Sequence, residues 1–190
     1  MKVQLKSTPM TTLLLIGIIA AGIRYGFWVS WQRRVIAVEP NFLWQSGAMN
    51  AKALTRFVKH HQIGMVIDFR RIDEPLDNSE AIVLDGLKVQ YLKIPCDRSP
   101  TMDSIATFLS TVRQQYKHNC RILMHCKDGE GRAVFFGGIY RIEFQGMMPR
   151  SAYLAQRRLP PDLHWLRFIV PNIGLFSKNN SKTQLLLNYR

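Results

Sequence analysis

The stretch LMHCKDGEGRA, Leu123 to Ala133, decides the fold. The apolar run Ile122-Leu123-Met124 delivers His125 and Cys126 into a short segment with two glycines, Gly129 and Gly131. That segment closes on Arg132. The apolar run reads as a buried strand, and residues 132 to 145 read as a helix that starts directly after the loop. A strand that passes through a glycine loop into a helix is the unit of a parallel α/β sheet. In such sheets ligands bind at the carboxyl ends of the strands.

The residue types fit one chemistry. A helix N-terminus leaves unpaired N–H groups and a positive partial charge. Glycines allow successive N–H groups to turn inward as an anion-binding nest. A thiolate on Cys126 is stabilised there. The same N–H groups of Lys127, Asp128, Gly129, Glu130, Gly131 and Arg132 are the candidate phosphate cradle, and the Arg132 guanidinium adds a planar clamp for two oxygens. Nucleophile, cradle and clamp within one turn follow the logic of cysteine-dependent phosphate ester hydrolysis. A bare Cys-x5-Arg spacing arises often by chance. The preceding His125, the glycine third after Cys126 and the strand-loop-helix setting make it specific. The bland alternative is a buried strand-end cysteine in a tight turn.

Working outward, strands and helices alternate. Phe42 to Trp44 predicts a short strand, and Asn50 predicts the cap of a helix to Gln62 with Ala53, Leu54, Phe57 and Val58 on one face. Met65 to Phe69 predicts a strand, Ser79 to Gly86 a short helix, and Val89 to Ile94 a strand. Thr101 predicts a helix cap, with Ile105, Phe108, Leu109 and Val112 at helical spacing as far as Lys117. The pattern implies an α/β fold with a mainly parallel central sheet flanked by helices. Helices are also expected over 151–158 and 163–169. Residues 177 to 190 are expected to form a basic, flexible tail.

The amino terminus has a different character. Thr8 to Ile23 carries no charge. Arg24 interrupts, then Tyr25, Phe27, Trp28 and Trp31 precede Arg33-Arg34. Apolar core, aromatic belt and basic flank together predict a single transmembrane anchor over residues 1 to 34. A cleaved signal peptide is the competing reading; Lys2 and Lys6 supply its basic start, but Ile19-Ala20-Ala21 is a weak cleavage site. Lys2 and Lys6 on one side and Arg24, Arg33 and Arg34 on the other leave the orientation open. The expected location is a membrane, such as a bacterial inner membrane.

Across 190 residues there are 26 Lys plus Arg against 13 Asp plus Glu. That excess either serves solubility or points to an anionic partner, a membrane surface or a phosphorylated substrate. Nucleic acid is not expected, since no recognition motif is present. Cys96, Cys120 and Cys126 are odd in number and irregularly spaced, which fits neither a disulfide framework nor a zinc site. His60 and His61 are adjacent, and on a helix they diverge by about 100°. No metal and no cofactor is expected.

At these residues the sequence resembles the cysteine-dependent protein tyrosine and dual-specificity phosphatase superfamily, whose signature is His-Cys-x5-Arg followed by Ser or Thr. VEPNFLWQSGAMNAKALTRFVKHHQIGMVIDFR, 38 to 70, is similar to the opening of the compact bacterial and fungal dual-specificity-like branch, and Asp68-Phe69-Arg70 fits its Asn/Asp-Leu-Arg triplet. YLKIPCDRSPTMDSIATFL, 91 to 109, is similar to its acid-bearing loop and following helix. The likeness runs from about Val38 to Gln156 and implies a catalytic domain over 35–176. It implies that Cys126 attacks phosphorus, that Arg132 and the loop stabilise the charge, and that Asp97 protonates the leaving oxygen. Asp103 is second choice, because an acid in a first helical turn is favoured anyway. His125 is expected to order the loop from behind.

Three departures qualify this. Ala133 replaces the Ser or Thr whose hydroxyl helps the thiolate leave, which implies slow breakdown of the phosphoenzyme. Gln45 stands where arginine is usual. Asp128 and Glu130 add negative charge, with Lys127 the loop's one lysine, which points away from highly charged inositol phosphates. The expected function is therefore a membrane-anchored phosphatase of phosphoprotein, or of a simple phospholipid or small phosphomonoester, held to the membrane by its N-terminal helix and basic surface. A phosphate-binding module that has lost turnover is the alternative. A rhodanese-like sulfurtransferase is the more remote one.

Overall fold

A computed structural model describes residues 9–74, 78–97 and 99–189. Lys2 and Lys6 of the basic start lie outside the described residues. Helix α1, Pro9–Ser30, is followed by an antiparallel hairpin of β1, Ile36–Glu39, and β2, Leu43–Gly47. Helix α2, Ala51–His61, leads to β3, Ile63–Asp68; α3, Asn78–Gly86, leads to β4, Gln90–Lys93; and α4, Met102–Lys117, leads to β5, Arg121–Cys126. Helices α5, Arg132–Gln145, and α6, Pro149–Ala155, follow, then a 3-10 helix over Pro161–Phe168 and α7, Ser181–Leu187.

The sheet order is β1-β2-β5-β3-β4, and every pairing except β1 with β2 is parallel. This is the α/β architecture expected from the alternation of strand and helix. β5 lies at the centre and is buried on both faces, so it reads as a continuous apolar run rather than an alternating one. Its side chains still alternate. Ile122 and Met124 join Phe69, Phe108, Phe136 and Ile139 on one side, whereas Leu123 joins Trp44, Leu54, Val58 and Leu84 on the other. Phe69 and Phe136 stack at 3.9 Å, fixing α5 against the sheet beside the loop.

The predicted caps form. Asn50 accepts from the Ala53 amide at 2.9 Å, and Thr101 pairs reciprocally with Ser104 in a capping box. The tail expected to be flexible is corrected by α7. Leu186 is buried so closely that a Cβ on Gly138 of α5 would lie 2.8 Å from it. The gain from apolar burial against α5 outweighs the low helix propensity of its Ser-Lys-Thr start. Strand β1 falls where only a basic flank was read.

Helix α1 is long and apolar enough to cross a bilayer. Met10 to Ile23 presents exposed Leu and Ile side chains. Its last two turns dock instead on the domain. Trp28 is 2% exposed and donates from Nε1 to the Val35 carbonyl at 3.1 Å. Arg24 grips both carboxylate oxygens of Asp162, at 2.8 and 2.9 Å.

Candidate active site

Parallel order gathers the carboxyl ends of four strands at one edge. Gly47 ends β2 directly beside Cys126, which ends β5. Asp68 ends β3, and β4 leads through Ile94 to Cys96 and Asp97. Cys126 is buried at the mouth of the loop that precedes α5.

The loop is pressed onto the end of β2. Ala48 donates to the Lys127 carbonyl at 3.0 Å. Gly129 has φ +69°, and a Cβ there would lie 2.4 Å from the Gly47 nitrogen. That position therefore requires glycine on two counts, conformation and contact. Among the described residues, no backbone N–H from Lys127 to Arg132 donates to a protein acceptor. A run of amides without a protein partner, beside a buried thiol and before a helix N-terminus, is an arrangement that favours an anion.

Arg132 is half-buried and already oriented. Its Nη1 donates to Glu74 Oε2 at 2.7 Å and to the Cys96 carbonyl at 3.2 Å. The hydrogen bond from Arg132, helped by the Arg71 amide, holds the Glu74 carboxyl below the usual glutamate range. Glu74 is thus ionised, suited to holding the arginine and unsuited to donating a proton. Asp97 is exposed on the segment that carries the Cys96 carbonyl, one residue from the contact with Arg132. Asp103 sits in the first turn of α4, beside the capping box and away from this cluster of bonds. Burial pushes the thiols of Cys96 and Cys120 up, away from nucleophilic use.

Behind the loop lies a buried polar network. Asp68 accepts from the Arg70 amide, from Arg70 Nε and from the Tyr91 hydroxyl. Arg70 also reaches Glu80 at 2.8 Å. The His125 ring is enclosed by this network, with Nε2 at 3.2 Å from Glu80 Oε1. Burial, then the bond to Asp68, pushes the Tyr91 phenol up, which keeps it a donor. The Asp-Phe-Arg triplet thus braces the strand end that carries Cys126. Gln45 of β2 is buried against α5, with its side-chain oxygen close over Gly137.

The two acids in the loop have different settings. Asp128 is exposed. Glu130 pairs with Arg34 at 2.5 Å. Lys182 of α7 also approaches the loop: a Cβ on Gly131 would lie 3.8 Å from its Nζ. Its neighbour Ser181 accepts from Ser99, beyond Asp97, at 2.8 Å. Glu74, Glu80 and Lys182 do not stand out in the sequence, and Arg34 reads there only as part of the basic flank. Each is a charged residue among many, and only the tertiary fold brings it to the loop.

No protein-family model and no curated sequence matches the chain. Solved structures do. TpbA from P. aeruginosa is 25% identical over 66% of this chain and 73% of its own, with a TM-score of 0.53. A cysteine-to-serine form of TpbA in complex with phosphotyrosine aligns at 19% identity over 84% of this chain and 91% of its own, TM-score 0.54. Tk-PTP in its active form is 16% identical over 84% and 99%, TM-score 0.62. PTPMT1 in complex with PI(5)P is 14% identical over 80% and 92%, TM-score 0.60. The fold and these likenesses are those of cysteine-dependent protein tyrosine and dual-specificity phosphatases, and they support a phosphoric monoester hydrolase.

Proposed function

We propose that this chain is a membrane-anchored phosphatase that hydrolyses phosphomonoesters through a phosphocysteine on Cys126. The observation that carries this reading is a buried thiol whose loop amides have no protein acceptor among the described residues, closed by an arginine already held in place by Glu74. In the reaction the Cys126 thiolate attacks phosphorus, and the S–P bond forms as the ester P–O bond breaks. Arg132 and the loop amides take up the charge on the equatorial oxygens. Asp97 gives its proton to the departing oxygen, then removes one from the water that cleaves the S–P bond. No metal or cofactor enters these steps.

Two observations support the membrane part of the proposal. The exposed apolar section of α1 from Met10 to Ile23 is about 21 Å long, so crossing the roughly 30 Å hydrocarbon core takes the rest of the helix to Ser30 as well. Docking of its last turns through Arg24 and Asp162 therefore draws the domain close to the lipid. Beside Asp162, the exposed side chains Trp165, Phe168, Ile169 and Val170 form an apolar patch suited to the headgroup boundary.

A cavity of about 440 Å³ bears on the substrate class. It is bounded by Ala21, Gly22 and Tyr25 of α1, by Leu163 and Leu166, and by Glu130 of the phosphate loop. Anchor and loop thus meet at Glu130, which supports a substrate held at the membrane surface, such as a phospholipid with a simple phosphomonoester headgroup. The complexes of TpbA with phosphotyrosine and of PTPMT1 with PI(5)P support keeping both classes as candidates.

The test is turnover by the full chain in lipid nanodiscs on an aryl phosphate, a phosphotyrosyl peptide, a lipid phosphomonoester and an inositol polyphosphate. The proposal expects hydrolysis of the first three, with the lipid preferred and the polyphosphate poorest. Tungstate binding without turnover of any substrate would leave the phosphate-binding module, the reading that Ala133 favours.

A further inference from the structure

The segment between anchor and domain makes bonds that a linker does not need. Arg33 and Arg34 have φ of 49° and 55°, two successive left-handed conformations that non-glycine residues rarely adopt. They are held there from both sides. The Arg34 amide donates to the Trp28 carbonyl at 3.0 Å, and the Gly47 amide donates to the Arg33 carbonyl at 2.7 Å. Gly47 is the residue paired with Cys126. This backbone turn brings the Arg34 side chain, 16% exposed, against the phosphate loop. Its Nη1 donates to the Asp128 carbonyl at 2.8 Å, and its Nη2 pairs with Glu130 at 2.5 Å.

Each contact has a consequence for an anion in the loop. The Asp128 carbonyl and the Gly129 N–H belong to one planar peptide and point in opposite directions. Fixing that carbonyl toward Arg34 aims the Gly129 N–H away from Arg34. The Glu130 carboxylate would repel a phosphate dianion nearby, and Arg34 cancels its charge. We propose that Arg34 is a positioning residue of the phosphate loop, so that the juxtamembrane segment from Trp28 to Val35 is part of the active site. The inference rests on the reading of residues 126 to 132 as the phosphate cradle.

The experiment compares the wild-type full chain in nanodiscs with Arg34→Met, Arg34→Lys, Glu130→Gln and the Arg34→Met/Glu130→Gln double variant. Tungstate affinity is read by calorimetry, which needs no turnover, and kcat and KM are read on an aryl phosphate. Arg34→Met should weaken tungstate binding about tenfold or more and lower kcat, as expected for losing a hydrogen-bonded charge. The double variant should regain most of the affinity, because the uncompensated acid is gone, while kcat stays low because the Asp128 peptide is no longer held. Arg34→Lys should keep affinity near wild type and still lose kcat, since an ammonium lacks the fork that spans both partners. A merely structural role would not separate affinity from kcat in this way. Equal tungstate affinity and kcat in wild type and Arg34→Met would overturn the inference. Should Arg34→Met fail to fold, Glu130→Gln carries the test: its tungstate affinity must rise severalfold, and an unchanged affinity overturns the inference. A wild-type chain that binds tungstate but turns nothing over contradicts the enzymatic reading alone. One that binds no tungstate contradicts the cradle itself.

Discussion

Replacing Asp97 by Asn takes away the proposed general acid and almost nothing of the side chain's shape. Asp97 follows Cys96, whose carbonyl accepts from Arg132 at 3.2 Å, so its backbone is held beside the clamp. General acids contribute on the order of 10² to 10⁴ in rate. Asp97 is exposed, and water therefore competes with it as proton donor. That places the expected loss in the lower half of the range, about 10² to 10³, or roughly 2.7 to 4.1 kcal/mol of transition-state stabilisation. The full loss applies to alkyl phosphates and to phosphoserine, whose oxygens leave poorly unless protonated. For an activated nitrophenyl phosphate the loss should stay below about tenfold. Parallel steady-state kinetics on the two esters measure the difference. Asp103→Asn serves as the control, because its carboxylate sits in the first turn of α4 and its removal should cost stability alone, about 0.3 to 1 kcal/mol. If Asp103→Asn shows the selective loss and Asp97→Asn matches wild type with both esters, the assignment of the acid is wrong.

Arg132→Lys should lower kcat/KM by about 10² to 10³, since an ammonium cannot hold two oxygens in a plane; kinetics within threefold of wild type would count against the clamp. Ala133→Ser should speed breakdown of the phosphoenzyme: rapid mixing should show a product burst in wild type that shrinks in the variant, whereas no burst in either means that another step limits turnover. Glu74 carries a pH signature. Its folded pKa lies below its unfolded value, so its contribution to stability is present above about pH 4.3 and is lost as pH falls through the folded value. Glu74→Gln should therefore melt below wild type at neutral pH and converge on it in acid; a constant gap in thermal unfolding across pH 3 to 7 would contradict the Arg132 bond.

The sequence made the core legible where physics is local. The apolar run of β5, the helix that begins at Arg132 and the caps at Asn50 and Thr101 all follow from short-range pattern. β1 was not legible, because four residues behind two arginines show no useful period and owe their conformation to pairing with β2. α7 was not legible either. Its start is polar, and its stability comes from Leu186 against α5, a contact that no local window contains. The site shows the same division. Cys126 and Arg132 stand out through spacing, whereas Glu74 is 58 positions from Arg132 and looks like one charge among several in RRIDE. Arg34 reads in the sequence as the basic flank of an apolar helix, and only its bonds to the loop give it a second role.

The most direct measurement is a chemical quench of the full chain during turnover of a labelled aryl phosphate, followed by mapping of the label. A stoichiometric phosphoryl group on Cys126, absent from Cys126→Ser although that variant still binds tungstate, is the predicted result. Turnover with no label on Cys126, or catalysis near the wild-type rate by Cys126→Ser, would contradict the account.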